Sequence, residues 1–206
     1  MKLLVATRSA GKQVEMRVLL ASAGVEAVFP DDQGLWEQPD EIGLEDQSSF
    51  EGNARRKADY FAKRSPLPTL ADDSGLEVFA LGGAPGVHSR HFAVATAGRT
   101  QEQANNDELT RRLAGAPEAR RRARYRCVLV YLERPSGVPH VFTGECAGRV
   151  LDAPVGAGGF GYDPLFFSDE LAMTFGEATA AAKHQVSHRG RAVSAFLEWL
   201  GVHGAG

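Results

Sequence analysis

Two hydrophobic rhythms run through this chain. Residues 3–6 form a short continuous apolar run of the kind a buried strand shows, and Thr7-Arg8-Ser9-Ala10-Gly11 breaks it. Val14, Val18, Leu19 and Leu20 then recur at helical spacing, so the chain opens as strand, loop, helix. Residues 25–29 predict a second strand, residues 49–63 a helix capped by Ser48 or Ser49, and residues 67–71 a further strand. That alternation indicates an α/β architecture. Residues 100–113 predict a helix with Ala104, Leu109 and Leu113 on its apolar side. Residues 124–132 and 140–150 flank Pro135-Ser136-Gly137, the pattern of an antiparallel hairpin. Residues 177–182 and 192–200 predict two more helices before a Gly-containing tail expected to fray. No internal repeat or linker separates independent parts, so residues 1–206 are expected to form one domain.

Composition narrows the class. With 206 residues, 43% apolar and 24% charged, the chain fits one sizeable core or two lobes sharing one, and its 23 glycines imply exposed backbone somewhere. The net charge of -3 supplies no global positive field for nucleic acid, although a small anionic ligand remains open. The stretch Arg120-Arg121-Arg122-Ala123-Arg124-Tyr125-Arg126 reads as a basic patch with a stacking tyrosine or as the solvated start of a strand. The second reading is favoured by the apolar residues 127–132 that follow it. Cys127 and Cys146 are too few for a disulfide framework and too far apart for a close-spaced zinc motif, so a reduced, cytoplasmic protein with two core cysteines is expected. Residues 1–6 carry too short an apolar run for a signal segment or membrane span, and no membrane association is expected.

Four segments could carry chemistry. Thr7, Arg8, Ser9, Ala10, Gly11 and Lys12 lie between a strand and a helix, where exposed amides, two hydroxyls and a lysine would bind phosphate. This is not a Walker loop, since Ala6 and Gln13 stand where that motif needs Gly and Ser or Thr; an ordinary turn capped by Ser9 is the competing reading. Asp72 and Asp73 end an apolar strand before Ser74-Gly75. Their side chains point opposite ways, so one could face a site while the other supports it, with a distant Glu completing a hard-cation site; an Asp-built turn competes. In residues 155–164 four glycines surround Phe160 and Tyr162, which suits a planar ligand and equally suits a flexible loop. Lys183, His188 and Arg189 sit close together near a helix start, as readers of carbonyl or phosphate oxygen or as a solvated face.

Together these segments resemble the inosine triphosphate pyrophosphatase family, the Ham-type pyrophosphatases of non-standard purine nucleotides. The resemblance rests on A-T-R-S-A-G-K at residues 6–12, S-F-E-G-N-A at 49–54, A-D-D-S-G-L-E-V at 71–78 and A-L-G-G-A-P-G-V at 80–87. It continues through G-G-F-G-Y-D-P-L-F at 158–166 and S-H-R-G-R-A at 187–192. It implies an elongated α/β fold with a mixed sheet and two lobes around a central nucleotide-binding cleft, usually as a homodimer. The implied activity is Mg²⁺-dependent hydrolysis of dITP, ITP and XTP to the monophosphate and pyrophosphate.

By the same resemblance Thr7 to Lys12 would hold the triphosphate, Asp73 would be general base and metal ligand, Ser74 would touch substrate, and Asp72 would support from behind. Phe160, Gly161, Tyr162 and Asp163 would form the stacking loop, with Lys183, His188 and Arg189 around the purine and its 6-keto oxygen. Glu45 is taken as the second metal ligand because its spacing to Phe50 fits the family register, while Glu41 would match a literal Glu-x-Gly. Ser9, Gly52 and His91 depart from the family pattern, which has Asn, Glu and Arg there. A pyrophosphatase of modified pyrimidine triphosphates and a non-catalytic nucleotide sensor are the competing functions.

Overall fold

The computed structural model describes residues 1–203, and the tail expected to fray lies outside them at residues 204–206. In chain order the principal elements are β1 (Lys2–Val5), α1 (Ala10–Ala21), β2 (Glu26–Val28), α2 (Phe50–Ala62), β3 (Thr69–Val78) and α3 (Gln101–Arg112). They continue with β4 (Arg122–Leu132), β5 (His140–Val150), β6 (Phe166–Ser168), β7 (Met173–Thr174), α4 (Ala180–Val186) and α5 (His188–His203). The seven strands form one sheet in the order β2-β1-β3-β4-β5-β6-β7. β1 is parallel to β2 and β3, while β6 is antiparallel to β5 and β7, so the sheet is mixed. β4 and β5 are neighbours joined by residues 133–139, too short a link for a parallel crossover, which makes them the expected hairpin.

The chain divides into two compact units. The first holds Met1–Asp73, Cys127–Gly144 and the chain from Arg189 onward; the second holds Ser74–Arg126 and Glu145–His188. In the first, Leu3 and Val5 of β1 pack with Met16 and Leu20 of α1 and with Val193 and Phe196 of α5. Leu4 and Ala6 point the other way and pack with Ala54, Ala58 and Phe61 of α2. Helices therefore cover both faces, which is why β1 reads as an unbroken apolar run rather than an alternating one. In the second unit Leu76 and Val78 of β3, Leu109 of α3, Tyr125 of β4 and Phe166 of β6 share one core.

β3 departs from its expected length. It runs on through Asp72 and Asp73 to Val78, so the two carboxylates lie inside a strand instead of ending one. Gly75 leaves room for a close neighbour there: a Cβ would lie 2.3 Å from Ser89 Oγ, which accepts Leu76 N–H at 2.9 Å within the strand. The helix expected at 177–182 begins only at Ala180, with Thr179 Oγ1 accepting from Ala182 N–H at 3.2 Å. Glu177 is instead drawn back to Thr174, whose N–H it accepts at 2.9 Å. Arginines of the basic stretch meet carboxylates: Arg121 pairs with Asp152, Arg122 with Asp169, Arg124 with Glu77 and Glu145, and Arg126 with Glu145. Cys127 and Cys146 are buried free thiols. No helix among the described residues is long and apolar enough to cross a membrane.

Candidate functional site

In the first unit, α2 presents two polar residues one turn apart on a face otherwise built from Ala54, Ala58 and Phe61. Ser49 starts this helix by accepting from Gly52 N–H at 3.1 Å. Asn53 accepts Gln47 N–H through Oδ1 at 2.8 Å, which turns its amide nitrogen to Asp73 Oδ2 at 2.9 Å. One turn on, Lys57 Nζ donates to Glu45 Oε1 at 2.6 Å, to the Asp72 carbonyl at 2.5 Å and to Asp73 Oδ1 at 3.2 Å. Three ammonium donors thus meet three acceptors. Burial alone would make Lys57 easier to deprotonate, but Asp73, Glu45 and Asp72 outweigh it and hold the ammonium charged above the ordinary lysine range.

The neighbouring carboxylate points the other way. Asp72 is fully buried, with Lys12 Nζ 3.1 Å from its Oδ1 and Arg189 Nε and Nη2 3.3 and 3.2 Å from its Oδ2. Arg189 is itself 1% exposed and gives its remaining arm, Nη1, to Glu15 of α1. Burial would raise the Asp72 carboxyl, yet Lys12, Arg189 and Lys57 hold it well below the usual carboxylate range. At Asp73 the balance reverses: burial lifts it above the ordinary value despite Lys57 and Lys12, with Glu45 adding to the rise.

Glu45 and Asp73 hold one cation between them, the Lys57 ammonium. Among the described residues no group of three or more His, Cys, Asp or Glu could hold a metal. Two carboxylates beside water and phosphate oxygens nevertheless suit Mg²⁺, which seldom takes an all-protein cage. The residues present fit such an ion. Glu41, the alternative partner, is held in a two-point pair by Arg8.

The loop before α1 brings amides to the same unit. Ser9 stands at the N-cap, but its side chain makes no capping bond and the first turn holds no acidic residue. The competing reading, a turn capped by the Ser9 side chain, is therefore not what forms; Ser9 N–H donates to Thr7 Oγ1 at 3.3 Å. By helix geometry the amides of Ala10, Gly11 and Lys12 have no intrahelical acceptor, and they end the positive pole of a 12-residue helix. Arg8 does not join them; its guanidinium lies on Glu41, Asp31 and the Leu35 carbonyl.

In the second unit the glycine loop is organised by Asp163. Its Oδ2 accepts from Phe160 N–H at 2.8 Å and from Lys183 Nζ at 2.5 Å. Gly159 adopts φ +71, and a Cβ there would lie 2.1 Å from Asp163 Oδ2, so the turn admits only glycine. Gly161 offers its carbonyl to Asn106 Nδ2 at 3.0 Å. Phe160 is half-buried, with Lys183 Nζ 5.0 Å from its ring centroid. Tyr162, the other ring of the loop, is 4% exposed and donates its hydroxyl to the Ser89 carbonyl at 3.0 Å, which leaves Phe160 the more accessible of the two. His188 is buried and stacks on Tyr125, ring centroids 4.5 Å apart and planes within 7°. Ser74 follows Asp73 in β3, half-buried.

Arg189, expected around a purine with Lys183 and His188, has its side chain in the first unit on Asp72 and Glu15. Lys57 and Glu15 were not singled out from sequence. The available signal was polarity on a buried face, since Asn53 and Lys57 share the spacing of Ala54 and Ala58 along α2.

Known proteins supply an independent comparison. The model of the Ham1 family matches residues 3–199. A dITP/XTP pyrophosphatase of Yersinia pseudotuberculosis is 42% identical over 200 residues, covering 97% of this chain and 98% of its own. One from Geobacter sulfurreducens is 41% identical over 203 residues, covering 98% of each. A HAM1 protein structure from Coxiella burnetii superposes with a TM-score of 0.83 at 30% identity, over 98% of this chain and 99% of that one. The Mycobacterium abscessus structure described as a nucleoside-triphosphatase / dITP/XTP pyrophosphatase gives 0.70 at 38% identity, over 96% and 99%. With the family model spanning almost the whole chain and relatives matched over nearly their full lengths, this chain belongs to the Ham1 family.

Proposed function

We propose that this protein is a Mg²⁺-dependent nucleoside triphosphate pyrophosphatase that hydrolyses dITP, ITP and XTP to the monophosphate and pyrophosphate, removing deaminated purines from the nucleotide pool. The observation that carries the reading is the Glu45–Lys57–Asp73 cluster, with Asp73 oriented by Asn53. The dITP/XTP pyrophosphatase relatives support the substrate class.

Mg²⁺ held by Glu45 and Asp73 would neutralise charge on the phosphoryl oxygens. The amides at the start of α1, with Thr7 and Lys12, bind the triphosphate. Asp73 takes the proton of the water attacking the α-phosphorus, and burial, by lifting its carboxyl, makes it the stronger base of the adjacent pair. Asp72 stays ionised on Arg189 and fixes Lys12. Ser74 contributes its hydroxyl to substrate. In the second unit Phe160 offers a ring face, and Lys183 and His188 supply donors to a 6-keto oxygen. Those donors would face the 6-amino group of adenine unpaired, at a cost of about 1–3 kcal/mol each, which disfavours ATP. The enzyme is read as a cytoplasmic homodimer, the compartment supported by two buried free thiols and the assembly by the family resemblance.

The experiment is a panel of ITP, XTP, GTP and ATP with Mg²⁺, assaying pyrophosphate and orthophosphate separately. Pyrophosphate from ITP and XTP, with little turnover of ATP, is the expected result; orthophosphate release would overturn the proposed bond choice.

A further inference from the structure

Arg8 lies in the loop whose neighbours offer amides to phosphate, yet its side chain is fully engaged elsewhere in the first unit. Nε donates to Glu41 Oε2 at 2.6 Å and Nη2 to Glu41 Oε1 at 2.8 Å, a two-point fork. Nη1 reaches Asp31 Oδ1 at 2.5 Å, and Nη2 also serves the Leu35 carbonyl at 2.8 Å. Every nitrogen of the guanidinium therefore has an acceptor, and the side chain is 15% exposed. Glu41 in turn accepts Gln38 N–H at 3.2 Å, closing the capping box of the 3₁₀ turn Pro39–Glu45. The last residue of that turn is Glu45, which shares Lys57 with Asp73.

We propose that Arg8 is a positioning residue for the metal carboxylate: by clamping the turn Pro39–Glu45 to the loop ahead of α1, it sets where Glu45 stands opposite Asp73. This rests on the reading of Glu45 and Asp73 as the metal ligands. A lysine could not replace it, because an ammonium supplies charge but not the planar fork that fixes both oxygens of Glu41. The effect travels through a short chain of rigid parts, fork, capping box and the 7-residue 3₁₀ helix, all within residues 8–45.

The test uses the full-length protein and Mn²⁺ as the probe, its binding followed by electron spin resonance, alongside amide hydrogen exchange over residues 39–45. Arg8→Gln, Arg8→Lys and Glu41→Gln should each weaken Mn²⁺ binding about tenfold, the low end of what losing support around a metal ligand costs. Each should also speed exchange in 39–45 while leaving β1 and α5 protected, which certifies the fold. The double variant Arg8→Gln with Glu41→Gln should be no worse than either single change. Unchanged Mn²⁺ affinity and exchange with a raised KM for ITP would overturn the proposal and make Arg8 a phosphate ligand. Failure of the wild-type protein itself to bind Mn²⁺ would overturn the metal-ligand reading beneath it.

Discussion

Asp72 and Asp73 are adjacent in β3, yet their carboxyls are pushed in opposite directions, Asp72 below the ordinary value and Asp73 above it. Strand pleating separates them, so each meets a different set of partners: Lys12 and Arg189 on one side, Asn53 and Lys57 on the other. One strand step thus divides a structural carboxylate from a basic one.

Asp73→Asn should lower kcat by about 10²–10⁴, the usual worth of a positioned base, with little change in KM. The fold should survive, because an amide at this position can still accept from Asn53 and no longer carries a buried charge. In the wild-type enzyme kcat should climb with pH through a value above 3.8, the ordinary carboxyl value from which Asp73 is raised. Steady-state kinetics across pH, paired with a urea melt of the variant, checks both parts.

Asp72 should govern acid stability. Its folded carboxyl is depressed, so its contribution is complete above the ordinary value of 3.8 and is lost as pH falls below it. Asp72→Asn removes that dependence but takes away the buried negative charge that faces Arg189 and Lys12, and should cost about 3–5 kcal/mol at neutral pH. Urea midpoints at several pH values should show the wild type losing its advantage over the variant in acid.

Lys57→Met removes the ammonium that Glu45 and Asp73 share. Loss of about 3 kcal/mol or more is expected from the uncompensated buried charge. Mg²⁺ should raise the melting temperature of this variant more than that of the wild type, since a divalent ion can take up the vacated charge. Thermal melts with and without Mg²⁺ measure the difference.

Asp163→Ala should loosen the glycine loop and strand Lys183 without its 2.5 Å partner. With Phe160 N–H also losing its Asp163 acceptor, KM for ITP should rise by about tenfold or more while pyrophosphate remains the product. Initial-rate kinetics on ITP provide the check.

Much of this was legible in the chain because apolar rhythm reports burial. Residues 140–150 read as a strand and form β5, and the break at Thr7 to Gly11 falls where β1 gives way to α1. β6 and β7, at three and two residues, are too short to show any period. Site positions were legible as motifs, but side-chain direction was not. Arg8, Tyr162 and Arg189 each carry the right chemistry for a ligand, and each is turned to protein partners by residues remote in sequence: Glu41, Ser89 and Glu15. Lys57 stayed hidden because a lysine on an amphipathic helix reads as solvated until its acceptors are known.

Attack of water on the α-phosphorus, with Asp73 as base, fixes where the incoming oxygen ends up. Turnover of ITP in water enriched in heavy oxygen, followed by mass spectrometry of both products, locates that oxygen. The label should appear in the nucleoside monophosphate and not in pyrophosphate; label in pyrophosphate, or in orthophosphate, would rule out attack at the α-phosphorus.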